Sequence, residues 1–176
     1  RCLAEVNPHT PQLLERVGEM CGKLSAALAG FEDPAAQRFI KWDLSQTAWT
    51  REHIVRFNDP EQQELALYFY SQFEAHVLPH LPHLRKSVIY NDANDYNILV
   101  DHDLENPSVP GVIDFGDAVY SYTIHDLAIA AAYAAMHKPD PLRAICHLTK
   151  GFHRVFPLEE KEIDVLFSLI GARLLI

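Results

Sequence analysis

The sequence predicts an α+β fold, mainly helical, in which a few short strands interrupt a series of long helices. Apolar residues recur at helical spacing over most of the chain, and the β-prone runs are confined to residues 87–113. Thr10-Pro11, Asp59-Pro60 and Asp140-Pro141 mark three helix starts. Each pair offers a capping oxygen followed by a residue whose fixed φ suits the first helical turn.

The first helix begins at Thr10-Pro11, carries Leu14, Val17, Cys21, Leu24 and Leu28 on one face, and ends at Gly30. Gly18 and Gly22 lie inside that pattern, which points to a close contact with another helix. The second helix begins at Asp59-Pro60, with Leu65, Phe69, Phe73 and Val77 along its core face, and stops before Pro79. Residues 87–90, 97–100 and 111–113 are short apolar strands expected to form a small hairpin. Asp101, Asn106, Pro107 and Pro110 are turn residues, and residues 103–110 form an exposed loop. Residues 124–136 make an Ala-rich helix suited to close packing, and Asp140-Pro141 opens another. Residues 158–176 make the last, with Ile163, Leu166, Phe167 and Ile170.

At 176 residues with 48% hydrophobic content, the chain can bury one core and is too short for two ordinary domains. A net charge of −9 argues against nucleic acid or an anionic membrane surface as a partner. Cys2, Cys21 and Cys146 are an odd set without a Cys-x-x-Cys pair, which fits reduced thiols in the cytoplasm. No signal peptide or transmembrane run is visible.

Chemistry concentrates in Tyr90-Asn91-Asp92-Ala93-Asn94-Asp95-Tyr96-Asn97 and in Ile113-Asp114-Phe115-Gly116-Asp117. An Asp followed five positions later by an Asn, each at a strand end, can turn both side chains toward one point. Asp92 suits the base that takes a hydroxyl proton, Asn97 a neutral oxygen ligand, and Asp114 a hard anionic ligand for Mg²⁺ held with a nucleotide. An Asp-rich loop alone is turn chemistry, and Asp-Phe-Gly alone occurs by chance. The two in this order, each beside a strand, read as a phosphoryl-transfer site.

These residues resemble the aminoglycoside phosphotransferase and choline kinase superfamily, and among its branches the hydroxylysine kinase-like phosphotransferases. Protein kinases carry the same Asp, Asn and Asp-Phe-Gly, but they have Arg before the first Asp and an Ala-Pro-Glu further on, both absent here. Asn91 precedes Asp92 as in choline and ethanolamine kinases, and residues 122–128 resemble the helix start that follows the metal Asp. The resemblance implies the C-terminal lobe of a protein kinase-like fold, with ATP and Mg²⁺ as cofactors and a small amine or amino acid as acceptor. It also implies an N-terminal lobe, with a phosphate-covering loop and a Lys, that these residues do not contain. Tyr90 stands where the family usually has His, a residue that braces the catalytic loop. A catalytically weak, nucleotide- or partner-binding regulatory module is the second reading.

Supporting and substrate roles follow. Tyr90 and Asn91 support the loop, and Asp126, at a helix start, is expected to accept hydrogen bonds from it. Trp42 beside Asp43 could hold an ammonium group by cation–π attraction and charge, with Asp117 and Tyr120 near the cleft. Core anchoring is the more common use of Trp. His76, His80 and His83 have zinc-like spacing, but Pro79 and Pro82 break the helix that would align them, so a solvated helix end is expected.

Overall fold

In the computed structural model, which describes residues 1–103 and 105–176, the order is α1 (Pro11–Leu28), α2 (Pro60–His76), β1 (Lys86–Ile89), β2 (Ile98–Leu99), β3 (Gly111–Val112), β4 (Val119–Tyr122), α3 (Ile124–Ala135), α4 (Pro141–Val155) and α5 (Glu160–Arg173). Each expected cap is made. Thr10 Oγ1 accepts the N–H of Leu13, Asp59 Oδ1 that of Glu61 and Asp140 Oδ1 that of Arg143, and each is followed by Pro at the first helical position.

Helix α3 is the centre of the molecule. Ten of its twelve residues are buried, most of them Ala, Ile or Leu, as expected of a helix that is apolar all round. Helices α1, α4 and α5 pack around it. Where α1 meets α4 the backbones touch directly: a Cβ on Gly18 would lie 1.9 Å from the carbonyl oxygen of Leu148, and one on Gly151 would lie 2.0 Å from that of Glu15. The close helix contact expected at Gly18 is therefore real, and Gly151 completes it from the other side.

The strands differ from expectation. Residues 97–100 and 111–113 do supply a hairpin, β2 with β3, pairing Ile98 with Val112 and Leu99 with Gly111. Residues 87–90 do not join it. They form β1, which pairs antiparallel with β4 in a separate sheet, Ile89 opposite Val119 and Lys86 opposite Tyr122. Strand β4 is only four residues long and abuts the helix start, so its alternation of buried and exposed side chains is too short to stand out. Cys2 bridges to Leu99, giving β2 a neighbour on its other edge. The loop over residues 103–110 includes Leu104, which lies outside the described residues, and it is only partly exposed, since Pro107 and Val109 are buried.

Two helix faces are rotated from those expected. On α2 the buried residues are Ala66, Tyr70 and Phe73, and Leu65 is 57% exposed; on α5 they include Val165, Leu166, Leu169 and Ile170, and Ile163 and Phe167 are each 52% exposed. Both helices carry apolar residues on more than one side, so spacing alone leaves the buried side open. The segment between α1 and α2 contains a thirteen-residue 3₁₀ helix, Leu44–Arg56. Leu44, Thr47 and Thr50 are buried at intervals of three, the 3₁₀ repeat, and each Thr hydroxyl donates to the carbonyl three residues earlier. Among the described residues no helix is long and apolar enough to cross a membrane.

Candidate active site

The chain leaves β1 at Ile89 and turns sharply through Tyr90 and Asn91, the latter at φ 65° in the left-handed region that Asn tolerates. Asp126, buried in the first turn of α3, holds this turn. Its two carboxylate oxygens accept the backbone N–H of Tyr90 at 3.2 Å and of Asn91 at 2.7 Å. Burial lifts the Asp126 carboxyl to about 6, against the pull of those two N–H groups.

Asp92 follows, half-buried, and its carboxylate is fixed from both sides. Asn94 Nδ2 donates to Oδ1 at 2.9 Å and Asn97 Nδ2 to Oδ2 at 2.7 Å. Asn94 Oδ1 in turn accepts the backbone N–H of Tyr96 and Asn97. The Asn- and Asp-rich stretch is thus a self-bonded turn that orients one carboxylate. Burial raises the Asp92 pKa above the ordinary range, and Asp117 adds to the rise while Arg173 and the two amides oppose it.

The hairpin brings the second motif alongside. Ile113 N–H donates to Asn97 O at 3.0 Å, which extends the β2–β3 pairing to the residue just before Asp114. Asp114 has φ 61°, and its Oδ1 accepts the N–H of Gly116 at 3.0 Å, a local turn that leaves the carboxylate exposed. Tyr90 binds this strand too. Its hydroxyl donates to Ile113 O, and its ring meets Phe115 edge to face at 5.0 Å between centroids. Burial, then the nearby charges of Asp92 and Asp114, raise the Tyr90 pKa, which keeps the hydroxyl a donor.

A cleft of about 420 Å³ lined by Glu32, Val88 and Tyr120 lies apart from these groups. The larger cleft, about 620 Å³, is walled by Asp92, Asp117, Trp42, Trp49, Lys41 and Arg173 among others. Trp42 and Asp117 are therefore at the cleft, joined by a 2.9 Å bond from Trp42 Nε1 to Asp117 Oδ2. Tyr120 lines the other hollow instead. Asp43 is not beside Trp42 in the cleft wall. Its side chain turns inward, 5% exposed, caps Ser45 and lies 3.1 Å from His125 Nδ1. Burial opposes its ionisation, but the hydrogen bond and charge of His125 hold its carboxyl at about 2. The carboxylate beside Trp42 is Asp117, seventy-five residues away.

Other residues at the site carried no sequence signal. Arg38 donates to the carbonyl oxygens of Gly116 and Ala118, tying the Trp42 segment to the Asp114 loop. Lys41 stacks on Trp49 at 4.0 Å. Arg173, on the last turn of α5, reaches Tyr133 Oη at 3.3 Å and lies 3.9 Å from Asp92 Oδ1.

A helical lobe whose short β elements present Asp92, Asn97 and Asp114 together has the layout of the kinase-like phosphotransferases. The chain belongs to the phosphotransferase enzyme family, APH, whose model matches residues 2–154. It is 34% identical over 175 residues to the hydroxylysine kinase of Xenopus laevis, which takes in 93% of this chain and 47% of that protein. The chain spans about half the length of the curated relatives it matches. Among solved structures, a microcompartment-associated aminopropanol kinase superimposes with a TM-score of 0.71 at 18% identity, covering 93% of this chain and 52% of that one. An amicoumacin kinase in complex with AMP-PNP and Ca²⁺ does so with a TM-score of 0.63 at 15% identity, covering 94% and 50%. These two share the fold.

Proposed function

We propose that this chain is the C-terminal lobe, one domain, of an ATP- and Mg²⁺-dependent kinase that phosphorylates a hydroxyl on a small amine or amino acid. The observation that carries the reading is the Asp92 carboxylate. It is half-buried, raised in pKa, oriented by Asn94 and Asn97, and open to the cleft walled by Asp117 and the two Trp. That is what a base for an acceptor hydroxyl needs: fixed geometry and a pKa moved toward neutrality.

The donor set fits a hard divalent cation. Asn97 spends its amide nitrogen on Asp92, which leaves its carbonyl oxygen for an ion, and Asp114 spends one oxygen on Gly116 and keeps the other exposed. Oxygen ligands of this kind, completed by phosphates and water, suit Mg²⁺. Bound there with ATP, Mg²⁺ would neutralise phosphate charge. Asp92 accepts the acceptor's proton as its oxygen bonds to the γ-phosphorus and the bond to the bridging oxygen of ADP breaks. Asp126 and Tyr90 hold the loop and the Asp114 strand in place for this step. Asp117 with Trp42 offers charge and an aromatic face to an ammonium group.

A relative named for hydroxylysine and a structural neighbour holding AMP-PNP and Ca²⁺ support the acceptor class and the nucleotide–metal pair. The three cysteines of this chain are free, which supports the reading of a cytoplasmic protein. The test is ADP release by the full-length protein with ATP, Mg²⁺ and a panel of hydroxylated amines and amino acids. Turnover on one class is expected. Nucleotide binding without turnover on any would favour the regulatory module.

A further inference from the structure

The cleft holds two cations that are used differently. Lys41 is engaged with the Trp49 ring. Arg173 is engaged with little. Its side chain is 10% exposed, its Nη1 is buried without a hydrogen-bond partner among the described residues, and its Nη2 meets Tyr133 Oη at a long 3.3 Å. The 3.9 Å to Asp92 Oδ1 is beyond hydrogen-bond reach, and both Asp92 oxygens already accept an amide. A guanidinium keeps its charge and its five N–H donors at any physiological pH, so taking the two Nη1 donors out of water unmatched is costly. The packing of α3 against α5 nevertheless holds it there, with its guanidinium carbon 5.6 Å from the Tyr133 ring centre.

We infer that Arg173 is the residue that recognises an acceptor carboxylate, so that the acceptor is a hydroxylated amino acid and not a simple amino alcohol. The inference rests on the kinase reading above and narrows its acceptor class. A carboxylate supplies two oxygens in the geometry of the guanidinium fork, which an alcohol or an ammonium group does not. The remaining groups complement the rest of such a molecule. Asp117, fixed by Trp42, faces the same cleft as a site for the ammonium group, and Asp92 takes the hydroxyl. With Arg173 and Asp92 only 3.9 Å apart, one small zwitterion can engage both.

The test compares 5-hydroxylysine with its decarboxylated counterpart, the same diamino alcohol without the carboxyl group. The full-length wild type, Arg173→Met and Arg173→Lys are assayed for ADP release and for binding by titration calorimetry. The wild type is expected to prefer the amino acid by about 10²-fold in kcat/KM, and Arg173→Met to lose most of that preference, chiefly through KM. Turnover of the diamino alcohol should fall far less. Arg173→Lys, which keeps the charge but not the fork, should fall between them and guards against misfolding of the Met variant. No preference in the wild type, or equal losses on both compounds in Arg173→Met, overturns the inference and assigns Arg173 to Asp92 or to the phosphoryl group. Turnover without an Arg173-dependent preference leaves the kinase reading standing and removes this one. Carboxylate-dependent binding lost in Arg173→Met, with no turnover of either compound, upholds the carboxylate site and removes the kinase reading.

Discussion

Asp126 accepts the backbone N–H of Asn91 at 2.7 Å, from a position thirty-five residues further along the chain. That bond, with its twin to Tyr90, holds the left-handed turn from which Asp92 enters the cleft. Buried acceptors of this kind are specific because the N–H groups they satisfy would otherwise face no water.

Asp126 gives a pH-dependent prediction. Its folded pKa is about 6 against an ordinary 3.8, so between those values the folded protein keeps a proton that the unfolded chain has released. Its contribution to stability is therefore fullest below about pH 4, declines as pH rises to about 6, and is flat above, a change on the order of 2–3 kcal/mol. Asp43 acts in a separate window. With its pKa lowered to about 2, it contributes stability that is lost as pH falls from its ordinary range toward that value. Denaturant midpoints from pH 4 to 7 should show the wild-type decline, and Asp126→Asn should flatten it. An unchanged slope in the variant would remove the assignment.

Asp92→Asn keeps the size of the side chain and removes the proposed base, at the cost of one of the two amide hydrogen bonds that Asp92 accepts. Turnover should fall by about 10² or more in kcat, with little change in nucleotide affinity. Because burial raises the Asp92 pKa, the acid limb of the wild-type kcat profile should lie above the range of an ordinary Asp, with activity lost as pH falls through it. A variant with wild-type kcat speaks against the base role.

Asp114→Ala removes the only exposed carboxylate of the Ile113–Gly116 stretch from the end of the hairpin. Mg²⁺-dependent turnover should disappear while circular dichroism stays close to wild type and the melting temperature falls modestly, since its one hydrogen bond is a local surface turn but Ala fits the left-handed φ of 61° less well than Asp. Near-normal turnover at any Mg²⁺ concentration would exclude Asp114 as a metal ligand.

Tyr90→Phe deletes the hydroxyl that donates to Ile113 O and leaves the ring against Phe115. The loss should cost about 1 kcal/mol of stability and loosen the strand before Asp114. The Mg²⁺ concentration for half-maximal turnover should then rise several-fold. If it stays at the wild-type value, Tyr90 does not brace the metal strand.

Gly151→Ala tests the helix contact away from the site. A Cβ there would meet the Glu15 carbonyl at 2.0 Å, and backbone on both sides can relieve it only by moving α1 from α4. Destabilisation of about 1–3 kcal/mol or more is expected in urea unfolding. A loss within experimental error would mean that the two helices part without cost.

The features legible in the sequence are those whose causes lie within a few residues. Thr10, Asp59 and Asp140 cap helices because the N–H they accept is two or three positions away. The turn from Asp92 to Asn97 closes on itself through Asn94, and Asn97 and Asp114 share the hairpin that their flanking apolar runs form. Spacing also marked Gly18 as a close-contact position, though not its partner Leu148.

Tertiary structure alone decided the rest. Strand β1 took β4 as its partner, Leu65, Ile163 and Phe167 were left outside, and Asp43 was drawn in to His125 while Asp117 took its expected place beside Trp42. Arg38 and Arg173 entered the site from segments with no motif of their own. The reason is one of range. Caps and turns are set by hydrogen bonds that a short peptide can make by itself, whereas the burial of one helix face, or of one carboxylate over another, depends on which surfaces compete for the same core.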